Sequence, residues 1–273
     1  MDRRRALMSI HMGIYKPIAP PEPIIDINNY LTIEAIEPIT IQFTSDGCEY
    51  CVNGDGNWTT LNAYENIEIL RRQYVSFRGN LIPETNVGIG SFDIYGKCNL
   101  KGNCMSMLFG DNAADNFSLR GKDYAFYNLF NKCTDIVSVS NNFLPATTLA
   151  ESCYDHMFSG CHSLTTAPTL PATTLAESCY ELMFYDCTSL TTAPTLPATT
   201  LAKNCYYSMF NGCKNLNYIK MLATDISAWF CLESWVNRVS STGTFVKNPA
   251  MNSLPTGTSG IPSGWTVMNG GEE

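Results

Sequence analysis

Cysteine is the reactive side chain that this 273-residue chain uses most systematically, with twelve in all. Six of them recur at two positions of a repeated segment: Cys153, Cys179 and Cys205 at the first, and Cys161, Cys187 and Cys213 at the second. The two positions are eight residues apart, which on a helix is about 12 Å, whereas the Cα atoms of a disulfide lie within about 7 Å of each other. A helical layer would also keep the cysteines of successive copies too far apart. We therefore predict buried free thiols that act as small hydrophobic side chains, a state that fits assembly in a reducing cytoplasm.

Four further thiols raise the question of a metal site. Cys48 and Cys51 form a C-x-x-C pair, and Cys98 and Cys104 follow downstream. A structural zinc ion needs four converging ligands, but residues three apart on a strand point to opposite faces of the sheet. The spacing between Cys98 and Cys104 is also not usual for zinc ligands. The sequence predicts plain strand cysteines, with no metal and no cofactor, and a zinc site at Cys48 and Cys51 is the alternative.

Groups that could act in catalysis are few. The three histidines are His11, His156 and His162, and the last two stand at positions that vary between repeats, which is typical of an exposed face. Asp155 and Glu181 occupy one position in successive repeats and could mimic the paired carboxylates of a glycosidase. A solvated acidic face is the simpler expectation, and the chain has no nucleophile-elbow, phosphate-loop or dinucleotide motif. We predict that the protein is not an enzyme.

These residues belong to a unit that is written three times in succession, beginning at Leu144, Leu170 and Leu196 with a period of 26 residues. A period of this length with regularly placed leucines is typical of a leucine-rich-repeat solenoid, in which each unit buries its apolar face against its neighbours. The apolar residues of the second copy fall at helical spacing: Ala176, Cys179, Tyr180, Met183, Phe184 and Cys187. This spacing predicts one apolar stripe along a helix, facing the core.

The ends of the predicted helix also carry signals. Thr174 and Glu177 stand three apart as a capping box. Gly160 and Gly212 occupy the position after the helix, where a left-handed residue is needed, and Asp186 fills it in the middle copy. Each unit is therefore expected to contain a helix, a tight turn, a brief extended segment and a corner bounded by prolines.

Differences between the copies locate a candidate recognition surface. The first two units differ at only five positions, and the third unit varies again at these positions. Apart from the Gly or Asp turn position, they lie off the predicted core stripe. The candidate interaction residues are Asp155, His156, Ser159, His162, Glu181, Leu182, Tyr185, Thr188, Tyr207, Ser208, Asn211 and Lys214. We predict an exposed face that binds a protein or a glycan; drift at positions that packing does not restrain is the alternative.

The segments outside the repeats suggest five parts. Residues 1–24 form an N-terminal arm with a Pro-rich linker, and residues 25–102 contain short alternating segments typical of a small β-sandwich. Residues 103–143 are a lead-in with a degenerate first repeat, because Phe130, Cys133 and Ile136 match the repeat at an offset of 28. Residues 144–220 are the solenoid. In residues 221–273 the period is expected to be lost, and Trp229, Trp235 and Trp265 should cap the open end.

The arm has two interpretations. It is either a disordered tail or an anchor that orders on a larger assembly, in which case Arg3, Arg4, Arg5, Ile14 and Tyr15 would make the contacts. Its basic start resembles a secretory signal, but His11 interrupts the apolar run and no small-x-small cleavage site follows, so the usual export pattern is incomplete.

Composition excludes two classes of partner. The net charge of −8 argues against nucleic acid as the main partner. No apolar run approaches the length of about 18 residues that a membrane-spanning helix requires. The sequence therefore predicts a globular protein with no nucleic acid partner and no membrane span.

The repeat units, together with YLTIEAIE, FRGN, MSMLFGDN, KDYAFYNLF, STGTFVKNP and IPSGWTV in the flanks, resemble the BspA-type leucine-rich repeats of gut Bacteroidetes and their tailed bacteriophages. The resemblance implies a non-enzymatic structural and interaction protein. Bacterial members usually carry an export or lipoprotein signal, and the different N-terminus here favours a phage virion accessory protein on the capsid, tail or fibre.

The expected fold is α+β, with a small N-terminal β-sandwich, a short solenoid of this type and a C-terminal cap. The expected partners are other virion proteins through the arm and β domain, and a host surface protein or glycan through the repeats; whether the chain is a homo-oligomer stays open. The expected location is the virion, assembled in the host cytoplasm. A bacterial cell-surface adhesin is the alternative.

Overall fold

The computed structural model describes residues 25–270, and most of their regular structure is β-strand. The strands are β1 (Leu31–Ala35), β2 (Ile39–Phe43), β3 (Cys48–Val52), β4 (Thr59–Leu61), β5 (Ile67–Ile69), β6 (Tyr74–Gly79), β7 (Phe92–Tyr95), β8 (Cys98–Lys101), β9 (Ile136–Val139), β10 (Tyr218–Met221), β11 (Thr244–Lys247) and β12 (Thr266–Asn269). The helical segments are one short α-helix, α1 (Ser106–Phe109), and the 3-10 turns Ile27–Asn29, Gly110–Asp115 and Asn141–Phe143.

Two sheets form the first part of the described chain. One has the order β4-β3-β6-β1-β8-β9 and is antiparallel except for the parallel pair β8–β9, and the other has the antiparallel order β5-β2-β7. The strands alternate as half-buried strands must, since Ile39, Ile41 and Phe43 of β2 are buried while the residues between them are partly exposed. Phe92 of β7 contacts Phe77 of β6, with ring centroids 5.0 Å apart. The core of this region therefore lies between the two sheets.

The sheets and the repeats share one hydrophobic core. β9 lies in the lead-in segment, pairs with β8 and continues through a parallel bridge from Ser138 to Thr166 of the first repeat. Phe92 also stacks on Phe130, with centroids 5.3 Å apart. One cluster of buried residues runs from Leu31 to Trp265, so the sheets cover the first layer of the repeats.

The repeats contain no helix within the described residues; each apolar stretch is a run of tight turns. Ser152 and His156 have positive φ, as do Ser178 and Leu182 one copy later, so the backbone turns left-handed once every four residues. Between these positions, alternate backbone N–H groups bond within the run and across to the next copy. Asp155 N donates to Ser152 O at 3.2 Å, whereas Tyr154 N donates to the oxygen of Cys179 in the next copy at 3.1 Å.

The predicted α+β fold with a helical leucine-rich-repeat solenoid is therefore wrong. A helix has a period of 3.6 residues, and the turn run has a period of four. Over about ten residues both periods place the same pairs inside, such as Cys179 with Tyr180 and Met183 with Phe184. The backbone hydrogen bonds of a helix stay within one segment. In the turn runs, half of the backbone hydrogen bonds join successive copies. The predicted capping box fails for the same reason, and Glu177 instead pairs with Lys203, 2.5 Å away in the next copy.

The copies are held together inside by two columns of aromatic rings. Phe184 stacks between Phe158 and Phe210 with centroids 5.8 and 5.7 Å away, and Tyr180 lies between its counterparts Tyr154 and Tyr206 in the same way. All of these side chains are buried. Because the backbone ladder sets the layer spacing, each ring covers the face of the next.

The last part of the described chain keeps the period in its backbone, so the expected loss of the period there is wrong. Phe230, Ser234 and Arg238 have positive φ, and Tyr206 N donates to Cys231 O at 3.1 Å. Trp235 is fully buried over the two aromatic columns. Trp229 is 76% exposed, and its ring meets that of the exposed Phe230 instead of the columns. Strands β10, β11 and β12 form a three-stranded parallel sheet on the other side of these last layers.

Candidate interaction surface

The outward side of the turn runs is the candidate site. We call it the turn surface, defined as the outward residues of runs 124–132, 152–160, 178–186, 204–212 and 230–238 together with the residue two positions after each of the three central runs. The runs lie in successive hydrogen-bonded layers, so equivalent positions of the copies stand side by side. The candidate residues predicted from sequence differences all fall within or just after the three central runs.

Their exposure differs from the prediction at three positions. His162 and Lys214 are exposed, and seven more are partly exposed: His156, Glu181, Leu182, Tyr185, Thr188, Tyr207 and Asn211. Asp155, Ser159 and Ser208 are buried, although exposure was expected of them. The reason is the tightness of the turns, in which a short side chain at or next to a left-handed residue lies against the neighbouring layer.

Asp155, His156 and Glu181 form a titratable cluster on this surface. The Oδ1 atom of Asp155 lies 2.6 Å from Nδ1 of His156, and the ring of His156 meets the edge of the Tyr127 ring at 6.0 Å. Burial raises the pKa of Asp155, and the hydrogen bond from His156 opposes the rise. Burial also raises the pKa of Glu181, and the charge of Asp155 adds to it. The cluster combines carboxyl groups with an imidazole ring, which suits recognition of a polar ligand group.

A second polar network joins three layers at the far end of the turn surface. Arg238 donates from Nη2 to Asn211 Oδ1 at 3.2 Å and to the hydroxyl of Tyr185 at 3.4 Å. In the layers before it, His162 Nε2 lies 3.3 Å from Asp186 Oδ2. These contacts link side chains of successive copies.

Sequence comparison missed the outer members of these two groups. Arg238 stands 26 residues after Gly212, and Tyr127 precedes Asp155 by the 28-residue offset of the degenerate repeat. Applying the repeat offsets beyond the three obvious copies would have placed both residues on the surface.

The repeat thiols lie inside the stack of layers and not on the turn surface. Cys161, Cys187 and Cys213 donate their S–H to the carbonyl oxygens of Phe130, Phe158 and Phe184, at 3.3, 3.1 and 3.0 Å. All twelve cysteines are free and buried. Burial raises the pKa of Cys153 and of Cys205 to about 12, and a thiol that stays protonated is a poor nucleophile and metal ligand.

The cysteines of the sheets lie in the same kind of surroundings. Cys48 and Cys51 of β3 are buried, and Cys51 donates to Asp55 Oδ1 at 3.3 Å. Burial raises the pKa of Cys48 and of Cys98 to about 12. Over residues 25–270, no three His, Cys, Asp or Glu side chains are grouped so that they could hold a metal ion.

Two further expectations concern the rest of the chain. In the part that the structure describes, no helix has the length and apolarity needed to cross a membrane. The proposed anchoring residues Arg3, Arg4, Arg5, Ile14 and Tyr15, and with them His11, lie outside the described residues.

Comparisons with known proteins returned no matching family model, no matching curated protein and no matching solved structure.

Proposed function

We propose that the protein is a non-enzymatic virion accessory protein of a tailed phage, of the kind that the BspA-type resemblance suggests. Its turn surface binds a host surface protein or glycan, and residues 1–24 with the N-terminal sheets attach it to other virion proteins. The observation that carries the proposal is the turn surface, where most of the residues that differ between the copies lie at least partly exposed on one face.

The construction of this surface supports a binding role. Its backbone is held by hydrogen bonds between layers, and its side chains are joined by contacts such as Arg238 to Tyr185 and His162 to Asp186. A surface that is already ordered loses little entropy on binding. Tyrosine, histidine, asparagine and arginine offer aromatic faces and paired hydrogen-bond groups, which are common in recognition sites.

The thiols support assembly in a reducing compartment. Twelve buried cysteines without a disulfide are unusual for a protein that matures in an oxidising environment. The cytoplasm of an infected cell meets this requirement, which favours the virion over the alternative of an exported cell-surface adhesin.

The binding half of the proposal is tested with two tyrosines of the turn surface. Tyr185→Ala with Tyr207→Ala should reduce adsorption of the purified protein to host cells about tenfold or more, because both residues belong to the turn surface and are partly exposed. Tyr95→Ala is the matched control, since Tyr95 is 63% exposed on β7 and is not part of the turn surface, and its removal should leave adsorption unchanged. Equal adsorption by the double variant and the control would exclude the turn surface as the receptor site.

The attachment half is tested separately. Deleting residues 1–24 should remove the protein from purified particles while its circular dichroism spectrum and melting temperature stay unchanged. Unchanged incorporation would refute anchoring by this segment. Mass spectrometry of the intact protein separates the two locations, because a chain with Met1 in virions supports the proposal and a shortened chain on cell envelopes supports the adhesin.

A further inference from the structure

Strand β12 is an open edge at the last layer of the parallel sheet. Within residues 25–270 it pairs with β11 alone, on one side. All four of its residues are exposed, Val267 by 45% and Met268 by 53%. Val267 pairs with the buried Phe245, which pairs with the buried Ile219. The apolar column of the sheet interior therefore ends in solvent at Val267.

The backbone of β12 presents unpaired groups at this edge. Thr266 N donates to Gly243 O at 2.9 Å, and Gly270 N donates to Lys247 O at 2.8 Å. Because the direction of N–H groups alternates along a strand, the N–H and C=O groups of Val267 and Asn269 point away from β11. Such a row of free donors and acceptors is a template for another strand.

Several other boundaries of the described chain are protected. On the turn side of the same end, Val236 N donates to Thr258 O and Trp235 Nε1 to Gly260 O, at 3.2 and 2.8 Å. The edge strands β5 and β7 of the smaller sheet carry the acidic side chains of Glu68 and Asp93, which discourage pairing. By contrast, β12 has the sequence Thr-Val-Met-Asn, with no charge and no proline.

We infer that β12 is a dimerisation strand that pairs antiparallel with β12 of a second copy, across a two-fold axis at Met268. An axis at this residue sets Val267 opposite Asn269 of the second copy. The two outward-pointing residues of each strand then exchange four backbone hydrogen bonds, and the sheet becomes continuous over six strands. A second copy fits because an isologous contact needs one self-complementary surface, and the pairing opposes no like charges. This role goes beyond receptor binding and does not depend on it.

The same register also brings apolar side chains of the two copies together. Met268 meets Met268 of the second copy at a position without hydrogen bonds, where the Cα atoms of an antiparallel pair are about 4.5 Å apart. The two Val267 side chains lie diagonally across the axis on the opposite face, within reach of each other. Both exposed apolar side chains therefore become covered.

Charge exchange at position 268 tests the register. Sedimentation velocity of the full chain over a concentration series should show a dimer, and Met268→Lys and Met268→Glu should each be monomeric at least to tenfold higher concentration. An equimolar mixture of the two variants should recover the dimer, because the opposite charges meet at the axis. Met268→Leu is the matched control and should dimerise like the original chain. A monomer throughout, or a dimer unaffected by Met268→Lys, overturns the inference.

Two further variants keep the test independent of folding. Val267→Pro removes only an outward N–H, so its melting temperature should stay near that of the original chain while the dimer is lost. Met268→Cys should form an intermolecular disulfide under mild oxidation, since the pairing brings the two thiols within disulfide range and the native cysteines are buried. A dimer that survives Val267→Pro, or that requires residues 1–24, would mean that another contact holds the copies together.

Discussion

At the scale of single residues, the buried thiol is the feature that recurs most often in this protein. Cys187 in the central copy lies in the stack with its S–H donated to a carbonyl oxygen of the preceding layer. In this arrangement packing and weak hydrogen bonds hold the free cysteines in place. Their burial also makes the protein sensitive to alkali, because the thiols of the unfolded chain ionise and those of the folded chain do not.

The first prediction is a loss of stability above about pH 8.5. The pKa of Cys153 and of Cys205 is raised to about 12 in the folded state, against about 8.5 in an unfolded chain. Their contribution is therefore complete below pH 8.5 and is lost as the pH rises towards 12. In that window each such thiol should lower the free energy of unfolding by about 1.4 kcal/mol per pH unit. Thermal melts from pH 7 to 10.5 should show a level melting temperature followed by a steep fall.

A matched variant isolates the thiol effect from general alkaline damage. Cys205→Ala should reduce the slope of unfolding free energy against pH by the share of one thiol. A slope that is the same in this variant, or a melting temperature that stays level to pH 10.5, would contradict the linkage.

At the scale of elements, the turn run is the unit that the structure repeats. Leu182, with φ of 49°, adopts a left-handed conformation that costs an ordinary residue about 1 to 2 kcal/mol. The ladder offsets this cost, since Leu182 N donates to Tyr207 O in the next copy at 2.9 Å. The element is thus locally strained and is stabilised by its neighbours.

The second prediction compares glycine with alanine at this position. Leu182→Gly and Leu182→Ala remove the same side-chain contacts beyond Cβ, but only glycine adopts positive φ without strain. The glycine variant should be more stable than the alanine variant by about 1 kcal/mol in denaturant unfolding. At Thr188, whose φ is not positive, the order should reverse, with alanine ahead by about 0.5 to 1 kcal/mol. The same order at both positions would show that backbone strain does not shape the turn run.

At the scale of the whole molecule, stability depends on continuity of the aromatic columns. Phe92, in the sheets, stacks on Phe130, and the column continues through the three matched copies to the buried Trp235. No layer has a core of its own, so the loss of one ring exposes the faces of two others. The stack should therefore unfold as one unit.

The third prediction tests this coupling at the centre of the column. Phe184→Ala should lower the unfolding free energy by about 3 to 5 kcal/mol, because both faces of the buried ring are stacked. Thermal melts followed by circular dichroism should still show a single transition. Tyr185→Ala, one residue later on the turn surface, should change stability by no more than about 0.5 kcal/mol. Equal losses would remove the energetic distinction between column and surface, and two separate transitions would contradict unfolding of the stack as one unit.

Much of this organisation can be obtained from the residues alone. The 26-residue period, the inward position of Cys179, Tyr180, Met183, Phe184 and Cys187, and the short strands of residues 31–79 all follow from local pattern. The reason is that burial depends on spacing along the chain, and a spacing of three and four is visible within one copy. The same comparison located most of the turn surface, because positions that packing does not restrain are those that differ between copies.

The backbone conformation of the repeats could not be predicted from one copy, because it depends on the tertiary structure. Helix and turn run bury the same residues of one copy, and they differ only in whether Tyr154 N bonds within its own segment or to Cys179 of the next. That partner is 25 residues away, so no local propensity encodes the choice. The burial of Asp155, the fifth turn run ending at Arg238 and the open edge of β12 have the same origin, since each depends on which layer lies next to the residue and not on its neighbours in sequence.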